Sequence, residues 1–133
     1  ARCMTEAKAA VVGGGPAGLA AAYFLQGYGI GTTIFERENE PGGVVRHVIP
    51  DFRIGSSAIE RDTEIVKNTG AEFIMGTKIS SVDELKEKGY KYIVIASGAW
   101  KHGELDIKCE KKVNALDFLA SYKKDEKKMI MNR

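Results

Sequence analysis

The feature that most constrains this chain is a short apolar run that ends in closely spaced glycines and continues into an alanine-rich segment. Residues 8–12 are K-A-A-V-V, residues 13–18 are G-G-G-P-A-G, and leucine and alanines follow. Gly13, Gly15 and Gly18 have the spacing G-x-G-x-x-G, which is typical of a strand that turns sharply into a helix. The pattern therefore predicts a strand, a tight turn and a helix as one unit.

Each glycine of this turn has a separate physical purpose. Gly13 permits the turn, Gly15 lets the backbone approach a ligand, and Gly18 lets the helix lie close to the strand. Pro16 fits the first helical turn, where an N–H group has no partner. The free amides of residues 14–18 and the helix dipole favour a dianion, so we expect a pyrophosphate there. The alternative is the same turn without a ligand.

An acidic residue follows the second predicted strand. That strand covers Gly31–Phe35, and Glu36 comes after it, at about the 20-residue separation from the glycines at which a carboxylate binds the hydroxyls of an adenosine ribose. A ribose 2′-phosphate would be repelled by Glu36. We expect replacement of Glu36 to weaken nucleotide binding with little effect on folding. The alternative is a solvated carboxylate at the end of a strand.

The remaining predicted elements alternate between helix and strand, which indicates a parallel sheet covered on both faces. A first helix over residues 16–26 is followed, after the second strand, by an irregular stretch over 37–55. We then predict a helix over 57–68, with Ser57 and Glu60 as a capping box, and a strand over 72–75. A helix capped by Ser81 and Glu84 should continue through Lys88, and a buried strand should cover 90–96. The last predicted elements are a helix from Asn114 to about Ser121 and a solvated charged tail.

Composition excludes several classes of protein. The 133 residues are 44% hydrophobic, with 20 basic and 18 acidic residues, which fits one domain and predicts no nucleic-acid partner. No apolar stretch is long enough to span a membrane, and we expect no signal peptide because residues 1–8 contain no apolar run. Cys3 and Cys109 are far apart. We therefore expect no metal site, an inert thiol at Cys109 and a reducing, cytoplasmic location.

Four segments resemble one family of flavoproteins. They are G-G-G-P-A-G-L-A-A-A, F-E-R-E-N-E-P-G-G, I-P-D-F-R-I and Y-I-V-I-A-S-G-A. Together they resemble the flavin-binding half of the glutamate synthase small subunit and its relatives, which include dihydropyrimidine dehydrogenase, ferredoxin-NADPH transhydrogenase and, as the most similar members, selenate reductase-like proteins. The resemblance covers about residues 8–119. It implies a doubly wound α/β domain, which is a Rossmann-like FAD/NAD(P)-binding fold.

The resemblance also implies roles for the matching residues. The glycine turn would hold the pyrophosphate of FAD, Glu36 the adenosine ribose, and Arg37 would lie near the adenine. The paired glycines would approach the middle of the cofactor, the end of the fourth strand would lie above the pyrophosphate, and residues 49–53 would lie toward the flavin. The implied cofactor-binding residues are Gly13, Gly14, Gly15, Pro16, Ala17, Gly18, Glu36, Arg37, Gly42, Gly43, Ala96, Ser97 and Gly98.

The chain differs from the family pattern in detail and in length. Val48 and the pair Ile54-Gly55 replace the usual residues around the I-P-x-F-R block, which affects the expected shape of the flavin pocket. The second glycine motif, which in the family binds NADPH, has no counterpart after Gly18. We therefore expect residues 1–133 to be one incomplete FAD-binding domain with flexible ends at 1–7 and 120–133. Alone it should contain no catalytic residue and should not oxidise NAD(P)H.

These observations lead to one predicted function and two alternatives. The prediction is the FAD-binding part of an NAD(P)H-dependent oxidoreductase. In the parent enzyme, electrons would pass from nicotinamide through flavin to iron–sulfur centres, in the rest of the parent chain or in other redox subunits. The alternatives are an NAD-binding module, because Glu36 suits NAD equally, and a cofactor-free scaffold or subunit-interaction domain. We expect His47 to be polar surface, Arg53 to pair with a nearby acid such as Asp51, and Trp100 to serve in packing.

Overall fold

Strands and helices alternate along the chain in this computed structural model, which describes residues 6–101, 106, 108 and 111–131. The predictions for Cys3 and Cys109 lie outside these residues. The elements in order are β1 (Lys8–Val12), α1 (Pro16–Gly27), β2 (Gly31–Phe35), α2 (Val44–His47), α3 (Ser56–Asn68), β3 (Glu72–Ile74), α4 (Val82–Glu87), β4 (Tyr92–Ile95) and α5 (Ala115–Met131). None of the helices in this part of the chain has the length and apolarity that a membrane crossing needs.

The four strands form one parallel sheet in the order β3-β2-β1-β4. Strand β1 is central, and its residues Ala9, Ala10 and Val11 are completely buried. A continuous apolar run is typical of a strand that has helices on both faces. Because every strand runs in the same direction, their carboxyl ends meet at one edge of the sheet. The predicted bounds of β1 and β2 are confirmed.

Helices cover both faces of the sheet. Successive residues of a strand point to opposite faces, and Val11 packs with Leu19 of α1 and Val66 of α3. On the other face Ala10 packs with Leu85 of α4. The prediction of a doubly wound α/β fold is confirmed.

Two local predictions about helices are wrong. The stretch over 37–55 is not wholly irregular, because it contains the short helix α2. Gly43 is the N-cap of α2, and its carbonyl accepts the first bonds of the helix from the Arg46 and His47 amides. Helix α3 begins one residue earlier than predicted, with Gly55 at its N-cap and no side-chain cap. Ser57 is therefore already helical and cannot form the predicted capping box.

The cap of α4 follows the prediction in part. The Ser81 hydroxyl accepts a hydrogen bond from the Glu84 amide at 3.4 Å. The Glu84 carboxylate accepts from the Ser80 amide at 2.8 Å, one residue before the position that a capping box uses. Helix α1 extends one residue beyond its predicted end, to Gly27.

Strand β4 is shorter and less buried than predicted. It covers Tyr92–Ile95, and only its inner residues are partly shielded, whereas Ile95 is 60% exposed. The physical reason is its place at the end of the strand order, where it pairs with β1 on one side. An apolar, β-branched sequence indicates a strand but does not tell whether the strand is central or at an edge.

The last helix continues past its predicted end near Ser121, to Met131. Its start is as predicted, since the Asn114 side chain accepts hydrogen bonds from the amides of Leu116 and Asp117. The tail is not simply solvated, because the Lys123 side chain is only 5% exposed. Its ammonium group donates to the Ile49 carbonyl at 2.7 Å and lies 3.2 Å from the Asp51 carboxylate. A charge can be buried there because it has both partners.

Candidate functional site

A cleft of about 220 Å³ lies at the sheet edge where β1, β2 and β4 end. Open parallel sheets bind ligands at this edge. Most of the residues that the sequence singled out line it, namely Gly13, Gly15, Pro16, Glu36, Arg37, Gly43, Ala96, Ser97 and Gly98. Four other predicted site residues do not line the cleft: Gly14 and Gly42 lie in the adjoining loops, and Ala17 and Gly18 lie in the first turn of α1.

Two glycines of the turn are required by close packing. A Cβ atom on Gly13, whose φ is +108°, would lie 2.2 Å from the Ala96 carbonyl oxygen at the end of β4. A Cβ atom on Gly18 would lie 1.8 Å from the Gly13 carbonyl oxygen. Both distances are much shorter than a van der Waals contact. The absence of a side chain at Gly18 lets α1 lie on β1, and its absence at Gly13 lets β1 end beside β4.

The amino end of α1 is open toward the cleft. Gly15 is the N-cap, Pro16 begins the helix, no side chain caps the first turn, and that turn contains no acidic residue. The amides of Ala17 and Gly18 belong to this turn, whose N–H groups have no partner within a helix. A Cβ atom on Gly15 would meet only the Gly43 Cα, at 3.7 Å. The arrangement provides donors and a positive dipole end for an anion.

Glu36 is buried, with 6% of its surface exposed, and both of its carboxylate oxygens accept backbone hydrogen bonds. One oxygen accepts from the Gly14 amide at 2.6 Å, and the other from the Glu38 amide at 3.2 Å. The Gly14 amide is thus directed at Glu36 rather than into the cleft. Replacement of Glu36 would leave the Gly14 and Glu38 amides without this acceptor, which favours some loss of stability. The expectation that folding would scarcely change stays a prediction.

The paired glycines pack against the glycine turn. The Gly42 amide donates to the Gly14 carbonyl at 2.8 Å, and a Cβ atom on Gly43 would lie 3.0 Å from the Gly15 Cα. Gly43 lines the cleft, and α2 begins directly after it. The two glycine segments, more than 20 residues apart in sequence, therefore form one wall.

The cleft also contains residues that the sequence did not single out or assigned to packing. Thr77, Lys78 and Ile79 follow β3 and line the cleft together with Trp100, which follows β4. The Arg37 guanidinium lies 4.7 Å from the centre of the Trp100 ring. Since β3 was predicted to be parallel to β1 and β2, its carboxyl end could have been placed at this edge from the sequence.

Residues 49–53 and His47 do not line the cleft. Phe52 is 76% exposed, and His47 lies 3.2 Å from the Glu40 carbonyl through its Nε2 atom. Asp51, the expected partner of Arg53, pairs with Lys123. No group of three His, Cys, Asp or Glu side chains that could hold a metal ion occurs within the described residues.

A larger cavity, of about 490 Å³, lies between α1 and α3. Its lining is mostly apolar and includes Leu19, Tyr23 and Ile65, with Asp62 as its charged member. A pyrophosphate there would meet a carboxylate instead of amide donors, so the smaller cleft is the candidate dinucleotide site.

Comparison with known proteins agrees with this geometry. Residues 11–78 match the family model described as "NAD(P)-binding Rossmann-like domain", which is just over half of the chain. The chain belongs to this family. The YgfK protein of Escherichia coli is 40% identical to this Rossmann-like domain over 118 residues, which are 86% of the chain and 11% of YgfK.

Two further relatives are named for enzymes that use NADPH. The "Glutamate synthase [NADPH] small chain" of Bacillus subtilis is 36% identical over 106 residues, which are 77% of the domain and 21% of that protein. The "NADPH-Fe(3+) oxidoreductase subunit beta" of Geobacter sulfurreducens is 36% identical over 110 residues, which are 79% and 16% of the two chains. The resemblance to the glutamate synthase small subunit and its relatives is confirmed, and the domain spans between about a tenth and a fifth of these relatives.

A solved structure shares the fold. A variant of FprA from Mycobacterium tuberculosis superposes with a TM-score of 0.72 and 24% sequence identity, over 87% of this domain and 28% of that chain. At this identity the likeness concerns the fold alone.

Proposed function

We propose that this domain binds FAD through the ADP half of the cofactor and forms the flavin-binding part of an NAD(P)H-dependent oxidoreductase. The observation that carries the proposal is the position of Glu36, a buried carboxylate in the same cleft as the uncapped amino end of α1. A ribose and a pyrophosphate need these two kinds of group side by side.

The residues of the cleft fit a dinucleotide. Gly15 leaves room for a phosphate beside the amides of the first helical turn. The Glu36 oxygens each hold one backbone N–H group, and each retains a second lone pair for a ribose hydroxyl. The charge of Glu36 disfavours a 2′-phosphate, so FAD or NAD is preferred to NADP at this position.

FAD is preferred to NAD because of the second glycine segment. Gly42 and Gly43 resemble the paired glycines of the flavin-binding half, and Gly43 lies against Gly15 at the cleft. The bound flavin would supply the redox chemistry, whereas the protein supplies position and electrostatics. The NAD(P)H site, the iron–sulfur acceptors and other redox subunits or chain segments belong to the proposed parent enzyme. A cytoplasmic location, which rests on the two cysteines in the sequence, is part of the same proposal.

A second candidate function is an NAD-binding module. It is favoured by the family description, which names NAD(P), and by the equal suitability of Glu36 for the riboses of NAD and FAD. A domain that binds neither nucleotide would instead be a scaffold.

The test is calorimetric titration of the unmodified chain and of the Glu36→Gln variant with ADP, FAD, NAD and NADP. We expect ADP and FAD to bind, FAD more tightly than NAD, and NADP most weakly. Glu36→Gln should weaken ADP binding about tenfold or more, because charge-assisted hydrogen bonds contribute roughly 1.5–3 kcal/mol.

The matched control is Glu87→Gln, which removes an exposed carboxylate of α4 that does not line the cleft and should leave ADP binding unchanged. Tighter binding of NAD than of FAD would favour the second candidate. Absence of binding by every nucleotide would contradict both.

A further inference from the structure

The single tryptophan of the chain lies at the cleft rather than in the core. Trp100 follows β4 and is partly exposed. It belongs to neither of the hydrophobic clusters found among the described residues. The expectation that it serves in packing stays a prediction, and its place in the cleft offers a second role for the ring.

The backbone after β4 turns so that the indole returns to the cleft. Gly98 has a φ of +78°, a left-handed conformation that favours glycine. A Cβ atom on Gly98 would lie 3.3 Å from Nε1 of Trp100. The indole then packs beside Arg37, whose guanidinium lies 4.7 Å from the ring centre. The planar cation and the aromatic ring form a contact of the cation–π type.

This Arg37–Trp100 pair lies next to the proposed ribose site. Arg37 follows Glu36 directly, and all three residues line the same cleft. In an adenosine diphosphate the pyrophosphate leaves the ribose through C5′, and the base is attached at C1′, across the sugar ring. With the pyrophosphate at α1 and the ribose at Glu36, the base is directed away from the glycine turn, and Arg37 and Trp100 are residues of the same cleft that can stack with it.

We infer that the adenine ring of the bound dinucleotide packs against the Arg37–Trp100 pair, which makes Trp100 a ligand-binding residue. The inference rests on the proposed function, because it needs a ribose at Glu36. An aromatic ring and a guanidinium are the side chains on which nucleobases stack. Lys78, which lines the same cleft, adds a long aliphatic stem and a charge to it.

The first test uses the fluorescence of the unmodified chain, since Trp100 is its only tryptophan. Saturation with ADP should quench or shift the emission. Inorganic pyrophosphate, which has no base, should bind without this change. An emission that does not respond to saturating ADP would overturn the inference.

The second test measures ADP affinity by calorimetry in Trp100→Leu and Trp100→Phe. Loss of the aromatic ring in Trp100→Leu should weaken ADP binding roughly tenfold, whereas Trp100→Phe should retain most of the affinity. Pyrophosphate affinity should be the same in both variants. Tyr28→Leu is the matched control, because Tyr28 is an exposed aromatic residue beyond the carboxyl end of α1.

The outcomes separate the two proposals. Unchanged ADP affinity in Trp100→Leu, with binding still weakened by Glu36→Gln, would overturn the adenine position and leave the dinucleotide site standing. Absence of ADP binding by the unmodified chain would overturn the proposed function and the inference together.

Discussion

Helix α1 begins at Gly15 with no side-chain cap and no acidic residue in its first turn, whereas its carboxyl end is closed by hydrogen bonds. At that end the Tyr28, Gly29 and Ile30 amides all donate to carbonyls of the last turn. Both ends of the helix contact the sheet, so exposure alone does not explain the contrast.

The buried amide of Gln26 completes the closed end. It donates to the Thr69 carbonyl at 2.8 Å and accepts from the Thr32 amide at 3.1 Å. One side chain therefore connects α1 to the start of β2 and to the end of α3. Backbone N–H and C=O groups normally have hydrogen-bond partners within the protein, and groups without such a partner are available to bind a ligand. The comparison identifies the amino end as the functional one.

The largest expected effect comes from adding one methyl group at the open end, in Gly18→Ala. Its Cβ atom would lie 1.8 Å from the Gly13 carbonyl oxygen, so α1 must move away from β1. We expect a loss of roughly 3 kcal/mol in the free energy of unfolding, the upper part of the usual range for overpacking. Urea unfolding followed by circular dichroism would measure it.

The matched control is Gly27→Ala at the other end of the same helix, where an added Cβ atom has no neighbour within 4 Å. It should leave stability unchanged or raise it, because alanine is the better helix former. Equal stability of Gly18→Ala and Gly27→Ala would contradict the close contact between helix and strand.

A smaller loss is expected at the closed end, in Gln26→Leu. Leucine fills a similar volume but leaves the Thr32 amide and the Thr69 carbonyl without their partner. The cost should be about 2 kcal/mol, since a buried group without a hydrogen bond costs roughly 1–3 kcal/mol. Nucleotide binding should not change. Asn68→Leu replaces an exposed amide on α3 and should change stability by less than about 0.5 kcal/mol.

The smallest effect on stability, combined with a large effect on binding, is expected for Gly15→Ala. Its backbone angles, φ −78° and ψ −172°, suit alanine, and the added methyl group would meet only Gly43. Stability should change by less than about 1 kcal/mol, because alanine restricts the unfolded chain at a compatible position. ADP affinity should fall at least tenfold in calorimetric titration, because the methyl group occupies the space proposed for the phosphate.

Gly55→Ala provides the control for this variant. Gly55 is the N-cap of α3 and has similar extended backbone angles. A Cβ atom added to Gly55 would lie 3.7 Å from the Ser57 hydroxyl oxygen, the same distance as from a Gly15 Cβ atom to the Gly43 Cα. The substitution should leave ADP binding intact. If Gly15→Ala bound ADP normally, the open end of α1 would not be the phosphate site.

Much of the fold could be predicted because local rules decide it. The apolar run of β1, the spacing of the glycine turn and the alternation of strands and helices each indicate one structure. Most of the predicted site residues meet at one cleft because parallel strands end at the same edge. The caps at Asn114 and Ser81 were also predictable, because a capping side chain contacts only its own first turn.

The sequence by itself thus determined the central strands, the glycine turn and the side of the sheet on which a ligand would lie. Only the tertiary structure decided that the Gly14 amide is directed at Glu36, that Trp100 lies at the cleft beside Arg37, and that Lys123 is buried against Ile49 and Asp51. Each of these depends on residues between 22 and 74 positions apart. A local sequence pattern does not show which distant residue will form a hydrogen bond with a given group or pack against a given ring. These contacts form only when the helices and strands pack together.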